Sequence, residues 1–328
     1  MPLHRRTILA GLFGSAAAPW PALAAVNDWP HQRPIVFVVP YPPGGVTDVQ
    51  ARTLAPLLEK SIGQNIVIEN RSGAGGSIGV SYAARQPADG YTMVIGTQAT
   101  HGANAALYKE LRYHPIRDFS PVHALFDSIP LLGVHPSRPY KTLKEFVAYA
   151  KANPGAIRYG SAGVGSGGHL VGEMFQQSAD IQLTHVPYKG VGPTITDLIG
   201  GHIDAAFDYP ITLLQHVQGG RVRALSFMGS TRLVSLPDVP SIVEDGFPLP
   251  AAKTWTVLYM PAGTPAPIVT AMADAVGKAI ATPDMRKLID LWGGELMSLR
   301  GAALDKFSQD QYDRWREIVR RSGATLEN

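Results

Sequence analysis

The sequence predicts an α/β protein of two lobes, each a mostly parallel sheet flanked by helices, and three observations carry that prediction. Strand and helix patterns alternate from Ile35 to about His101, the grammar of a parallel sheet covered by helices. The same grammar resumes over 143–227. Between the two stretches the chain crosses near Asp127, and it returns through a Pro-rich loop beginning at Leu236-Pro237-Asp238-Val239-Pro240. Residues 26–127 and 230–328 are therefore assigned to the first lobe and 128–229 to the second, with a ligand site between them.

Residues 1–25 read as an export signal. His4-Arg5-Arg6 is a basic start, Thr7 to Ala18 is apolar and small, and Ala22-Leu23-Ala24 is a small-residue cleavage site. Arg5-Arg6 fits both the general secretory route and the twin-arginine route. Removing this segment takes Arg5 and Arg6 and no acid, so 29 basic residues become 27 against 26 acidic ones. The whole-chain charge of +3 thus carries no indication of nucleic-acid binding. The expected product is a soluble periplasmic monomer.

Strands are predicted at Ile35–Val39, Asn65–Glu69 and Thr92–Gly96, with helices at Thr47–Ser61 and Ser77–Arg85. In the first helix Val49, Leu54, Leu57, Leu58 and Ile62 share a face, and Pro56 should kink it. Val122–Phe126 and Leu131–His135 read as extended, before Pro136-Ser137-Arg138-Pro139 breaks the chain. The second alternation predicts helices at Leu143–Ala152, Gly168–Gln177, Pro193–Ile199 and Ile211–Gln218. Its strands are Ile157–Gly160, Gln182–Pro187, Ile203–Asp208 and Val222–Phe227. Strand Thr254–Met260, helices Pro267–Ile280 and Pro283–Leu291, strand Glu295–Leu299 and helix Leu304–Arg321 should complete the first lobe.

Pro40-Tyr41-Pro42-Pro43-Gly44-Gly45-Val46-Thr47-Asp48 joins a buried strand to a helix start. A helix N-terminus leaves N–H groups unpaired and partly positive, so it favours an anion. Thr47 and Gln50 have capping-box spacing. Two more loops follow on successive strands, Asn70 to Ser77 and Thr97 to Asn104, both rich in Gly or hydroxyl residues. In an open parallel sheet such loops share the carboxyl edge, where ligands bind. Ser161 to His169, Tyr188 to Gly192 and Asp208-Tyr209-Pro210 are their counterparts in the second half.

These segments, in their order and spacing, carry a resemblance. Pro42-Pro43-Gly44-Gly45 with Thr47-Asp48, Glu69-Asn70-Arg71 with Gly73-Ala74-Gly75-Gly76, and Asp89-Gly90-Tyr91-Thr92 are part of it. So are Thr100-His101, Gly163-Val164-Gly165-Ser166, Val186-Pro187-Tyr188-Lys189-Gly190 and Pro261-Ala262-Gly263-Thr264-Pro265. The chain resembles the Bug/TctC-type extracytoplasmic solute receptors of tripartite tricarboxylate transporters. The resemblance implies a type II periplasmic binding protein fold, the Venus flytrap, with no catalysis and no cofactor. It also implies a small carboxylate held mainly by backbone N–H groups and hydroxyls, and delivery to membrane transporter subunits. Ser72 departs from the proline that the family often carries there.

Candidate ligand-binding residues are Pro43, Gly44, Gly45 and Asp48 in the first loop, then Thr97 and His101. The second lobe offers Ser161, Gly165, Ser166, His169 and Asp208. Asp48 is expected to hold loop N–H groups rather than touch a carboxylate. His101 and His169 have packing as their alternative roles. Asp208 either accepts from a ligand hydroxyl or amine or caps the next helix. A rival reading is a serine hydrolase, because Gly75-Gly76-Ser77-Ile78-Gly79 fits G-x-S-x-G, although loop separates the strand from Ser77. A second rival is a nucleotide or phosphate binder, which lacks the phosphate-loop signatures. The absence of Cys excludes thiolate metal sites and a Cys nucleophile, and the ten His show no metal-ligand spacing.

Overall fold

The computed structural model describes residues 28–247 and 254–322. The expected signal segment and Pro248–Pro250 of the return loop lie outside them. The chain runs through β1 (Ile35–Val39), α1 (Val46–Ile62), β2 (Ile66–Asn70), α2 (Ser77–Ala84), β3 (Thr92–Thr97), α3 (Asn104–Leu107) and β4 (Phe119–Ser128). It crosses into β5 (Leu131–Val134), α4 (Leu143–Ala152), β6 (Arg158–Ser161), α5 (Gly167–Ala179), β7 (Thr184–Pro187) and α6 (Val191–Ile199). Next come β8 (Ala205–Asp208), α7 (Pro210–Gln218) and β9 (Arg223–Phe227). The closing elements are β10 (Thr254–Pro261), α8 (Ala266–Ile280), α9 (Pro283–Leu291), β11 (Gly294–Leu296) and α10 (Ala302–Ser322).

Two sheets form, in the orders β11-β4-β10-β3-β1-β2 and β7-β6-β8-β5-β9. Both are mixed rather than mostly parallel. β1 pairs in parallel with β2 and β3, and β6 with β7 and β8. β10 runs antiparallel to β3, and β5 antiparallel to β8. The cause is the double crossing. β1, β3, β6 and β8 end at the cleft, whereas β5 and β10, the first strands after each crossing, start at the cleft and run away from it. Local βα grammar could not show this, because β5 and β10 are themselves followed by helices, α4 and α8, and so read like the parallel strands.

Strand alternation divides the first lobe's core in two. Phe37, Met93 and Leu258 face Leu54, Leu58 and Met272, while Val38, Val94, Val257 and Tyr259 pack on the opposite face. The second lobe closes around Leu131, Phe146, Tyr159, Phe175 and Phe207. Each such side chain contributes about 1.5–3 kcal/mol on burial. Leu233, Leu236, Ile242 and Phe247 also pack into this second core, although the sequence assigned 230–247 to the first lobe. A bridge between Phe227 and Ser241 holds that segment there.

Local sequence explains the helix starts. Thr142 and Glu145 form a reciprocal capping box at α4. The box expected from Thr47 and Gln50 does not form: α1 begins one residue earlier, with Gly45 as its cap. α1 continues through Pro56 and ends at Gly63, whose φ of 78° suits glycine. α2 lies so close to the end of β1 that a Cβ on Gly79 would stand 2.9 Å from Pro40 Cα and 2.5 Å from the Arg71 carbonyl oxygen. Both obstacles are backbone-bound and cannot swing aside. Gly79→Ala should cost about 1–3 kcal/mol through overpacking, read as a lower thermal midpoint; an unchanged midpoint would contradict this packing.

Candidate functional site

The lobes meet over a cavity of about 90 Å³. The first lobe supplies Tyr41, Pro42, Gly45, Val46 and Thr47 from the β1–α1 junction, Thr97 and Gln98 after β3, Ser128, and Thr254–Thr256 of β10. The second lobe supplies Ala162 and Ser166–Gly168 at the start of α5, Gly190 and Val191 at the start of α6, and Phe207–Tyr209 at the end of β8. Among the described residues no Lys, Arg or His lines it, and Asp208 is the one acidic side chain.

Three helix starts from the two lobes face the cavity. α1 and α6 begin at Gly45 and Gly190 with no side-chain cap, and α5 begins at Ser166, whose hydroxyl accepts from His169 N–H. Helix geometry leaves the N–H groups of Val46, Thr47, Gly167, Gly168 and Val191 without intrahelical acceptors. They carry the positive end of each helix toward one volume. α7 contributes less, because its first residue is Pro210 and the N–H of Tyr209 is taken by Asp208 Oδ1 at 2.8 Å. The lobes are in contact here: a Cβ on Gly190 would meet the Pro42 ring at 2.8 Å, and one on Gly167 would stand 3.0 Å from Gln98 Nε2.

Of the residues singled out from sequence, Gly45, Thr97, Ser166 and Asp208 line the cavity. Pro43, Gly44, Asp48, His101, Ser161, Gly165 and His169 do not. Asp48, 2% exposed, stands behind the first loop. It accepts from Gly44 N–H, Arg52 Nε and Asn70 Nδ2, each at 2.9 Å. Burial alone would raise its pKa, but these hydrogen bonds outweigh burial and hold the carboxyl below its ordinary value. The β2 loop stays one layer back: Asn70 also donates to the Tyr41 carbonyl, and Gly76 packs against Thr100 and Tyr41.

His101 is enclosed in the first lobe. Its ring stacks on Tyr259 at 4.0 Å and abuts Phe119, and its Nδ1 lies 3.0 Å from the Thr100 hydroxyl. Burial pushes its pKa down to about 3, so the ring is neutral. Gly96 leaves room for that ring. His169 and His185 stack at 4.2 Å behind the Ser161–His169 loop. His169 Nδ1 accepts from Gly165 N–H at 3.2 Å, and His185 Nε2 lies 2.7 Å from the Ser161 hydroxyl. These groups shape the loop rather than line the cavity. Ser77, the serine of the hydrolase-like motif, opens α2, and its hydroxyl accepts from Asn104. No histidine lies within hydrogen-bond distance of it among the described residues, so the geometry lacks a base for a nucleophile.

Sequence reading missed Gln98, Ser128, Phe207, Tyr209 and Thr254–Thr256 as lining residues. Phe207 and Tyr209 flank Asp208 and could have been found from it. β10 gave no signal, since a buried strand reads the same wherever it starts.

Two α/β lobes that meet over a cavity lined by helix starts, with no cationic side chain among the described residues, define a solute receptor of the two-lobed binding-protein class. The comparisons place it further. A family model described as tripartite tricarboxylate transporter family receptor matches residues 50–324. Protein BugT of Bordetella pertussis is 33% identical over 327 residues, 99% of this chain and 100% of the relative. The R. palustris Rpa4515 structure with adipate is 34% identical with a TM-score of 0.86, covering 91% of this chain and 100% of that one. MatC from Rhodopseudomonas palustris with bound malate is 33% identical with a TM-score of 0.80, covering 88% and 99%. The chain belongs to the tripartite tricarboxylate transporter receptor family.

Buried neutral histidines set an acid limit. His101 and His185 fall from 6.5 to about 3 and about 4, by burial, with His169 adding repulsion at His185. A depressed folded-state pKa gives stability that is present above 6.5 and lost as pH falls through the folded value. Denaturant melts between about pH 4 and pH 7 should show stability falling with pH, and His101→Phe should remove about one proton from that slope. An unchanged slope in the variant would contradict the placement of His101.

Proposed function

We propose that this protein is a periplasmic receptor that encloses a small mono- or dicarboxylate between its lobes and delivers it to the membrane subunits of a tripartite tricarboxylate transporter. The carrying observation is the cavity lined by helix-start N–H groups without intrahelical acceptors and by hydroxyls, with no cationic side chain among the described residues. Neutral donors suit a small anion that must be released. They balance its charge when it is bound, and they leave no unpaired arginine to desolvate when the cleft closes empty. Adipate and malate in two similar structures support the carboxylate class. The contact of Pro42 with Gly190 supports closure, and no described helix is long and apolar enough to cross a membrane.

The ligand's carboxylate is held by Val46 and Thr47 N–H from one jaw and by Gly167 and Gly168 N–H from the other, with Thr97 and Ser166 adding hydroxyls. Asp48 keeps the first loop rigid from behind. Tyr41 and Tyr209, whose hydroxyls reach Thr97 and Gly167, bound the space from either lobe.

Val46→Pro deletes one donor without breaking the helix. Proline is favoured at this first helical position, and Gly45, with φ −81° and ψ 171°, already has the extended conformation that a following proline requires. A charge-assisted hydrogen bond is worth about 1.5–3 kcal/mol, so carboxylate affinity should fall roughly 10- to 100-fold. Val46→Ala, which keeps the N–H, controls for the lost side chain. Calorimetric titration with malate and adipate checks this. Equal affinities for the two variants would contradict main-chain capture, and a strong binder from a non-anionic class would contradict the carboxylate reading.

A further inference from the structure

Asp208 has no place in a purely cation-like cavity, and its surroundings say how it works. It ends β8, is 6% exposed, and lines the cavity directly. Its Oδ1 accepts one backbone N–H, from Tyr209. Among the described residues no cation balances it. β5 places Leu131 beside it, β6 contributes Gly160 and Ser161, and α5 brings only Gly167 and Gly168. α7 adds Tyr209 and Thr212, and α6 adds Thr194, whose hydroxyl is bonded to the Ser161 and Gly190 carbonyls. Across the cleft the titratable group is Tyr41, bonded to Thr97. Both tyrosines are pushed upward by burial and stay neutral. His169 and His185 stack on each other outside the cavity, and Asp127 accepts from Glu295 N–H at the outer strand.

An ionised Asp208 and an ionised ligand carboxylate cannot share so small a space without severe repulsion. Two carboxyl groups in one site bind a proton between them. Burial has already raised Asp208 to about 7 in the empty protein, so that proton is within reach at ordinary pH.

We propose that the receptor takes up its carboxylate ligand together with one proton, held as an O–H···O hydrogen bond between the Asp208 carboxyl and a ligand carboxylate oxygen. The proton comes from solvent, and no covalent bond of the ligand changes. Asp208 is then a specificity group: it admits an anion that can accept a proton-bearing partner and discriminates against one presented at high pH. This inference rests on the carboxylate reading of the same cavity.

The sign follows from linkage. Below the Asp208 pKa the group is already protonated and binding is insensitive to pH. Above it each ligand must bring in a proton, and affinity falls by up to about tenfold per pH unit. The test is titration calorimetry of malate and adipate between about pH 6 and pH 9, in buffers of different ionisation enthalpy, which counts protons directly. The expected result is about one proton taken up per ligand above pH 8, with Kd rising roughly 10- to 100-fold across the range. In Asp208→Asn, which keeps shape and a donor but cannot ionise, the uptake should vanish and Kd should become flat with pH.

Binding of either acid without proton uptake would overturn the proposal and leave the carboxylate reading standing. Uptake that persists in Asp208→Asn would also overturn it. Affinity for either acid that rises with pH would also overturn it, because binding would then release a proton rather than take one up. No binding by either acid, with a strong hit from a non-anionic class, would remove both. The proton count on the unmodified protein stands even if the variant folds poorly.

Discussion

Helix-start N–H groups without acceptors are the constraint around which this structure is arranged. A helix cannot pair its first N–H groups internally, and burying them unpaired is costly. Here three helices from two lobes turn those groups onto one small space. On the proposed carboxylate reading, an enclosed anion would satisfy them and an empty closed cavity would not, so the ligand would be part of what holds the lobes together.

The rest of the fold supports that arrangement from behind. Asp48 ties Gly44, Arg52 and Asn70 together, so the first jaw is fixed before a ligand arrives. Thr97 and Thr100 link their hydroxyls and backbone below it, and Tyr41 reaches Thr97 at 3.1 Å. In the second lobe the Ser161–His185 and Gly165–His169 bonds set the course of the α5 loop. These polar groups are close to the cavity without lining it, which separates the tasks of shaping a loop and touching a solute. Glycines permit the approach: Gly190 lets the Pro42 ring close against the second lobe, and Gly167 leaves space for Tyr209.

Much of this was legible in the sequence, for definable reasons. βα repeats announce their own strands and helices, so both lobes and the helix starts that line the cavity could be read from residues such as Pro42-Pro43-Gly44-Gly45 and Ser166-Gly167-Gly168. Three features were not legible. The antiparallel entries of β5 and β10 depend on where the chain re-enters a sheet, and local patterns do not encode that. The placement of 230–247 depends on Leu233 and Ile242 finding the second core, and apolar residues in a loop do not name their partner. The cavity lining depends on depth: His101 and Thr97 lie four residues apart at one strand end, yet only Thr97 lines the cavity, because the chain turns through Ala99–Ala103 and carries the histidine under Tyr259.

Main-chain capture is the central claim, and a crystal structure with malate or adipate soaked or grown in tests it most directly. The account predicts carboxylate oxygens within about 3.2 Å of helix-start N–H groups from both lobes, among them Val46 or Thr47 and Gly167 or Gly168. A carboxylate anchored instead on a lysine, arginine or histidine side chain, or bound outside the cavity between the lobes, would contradict it.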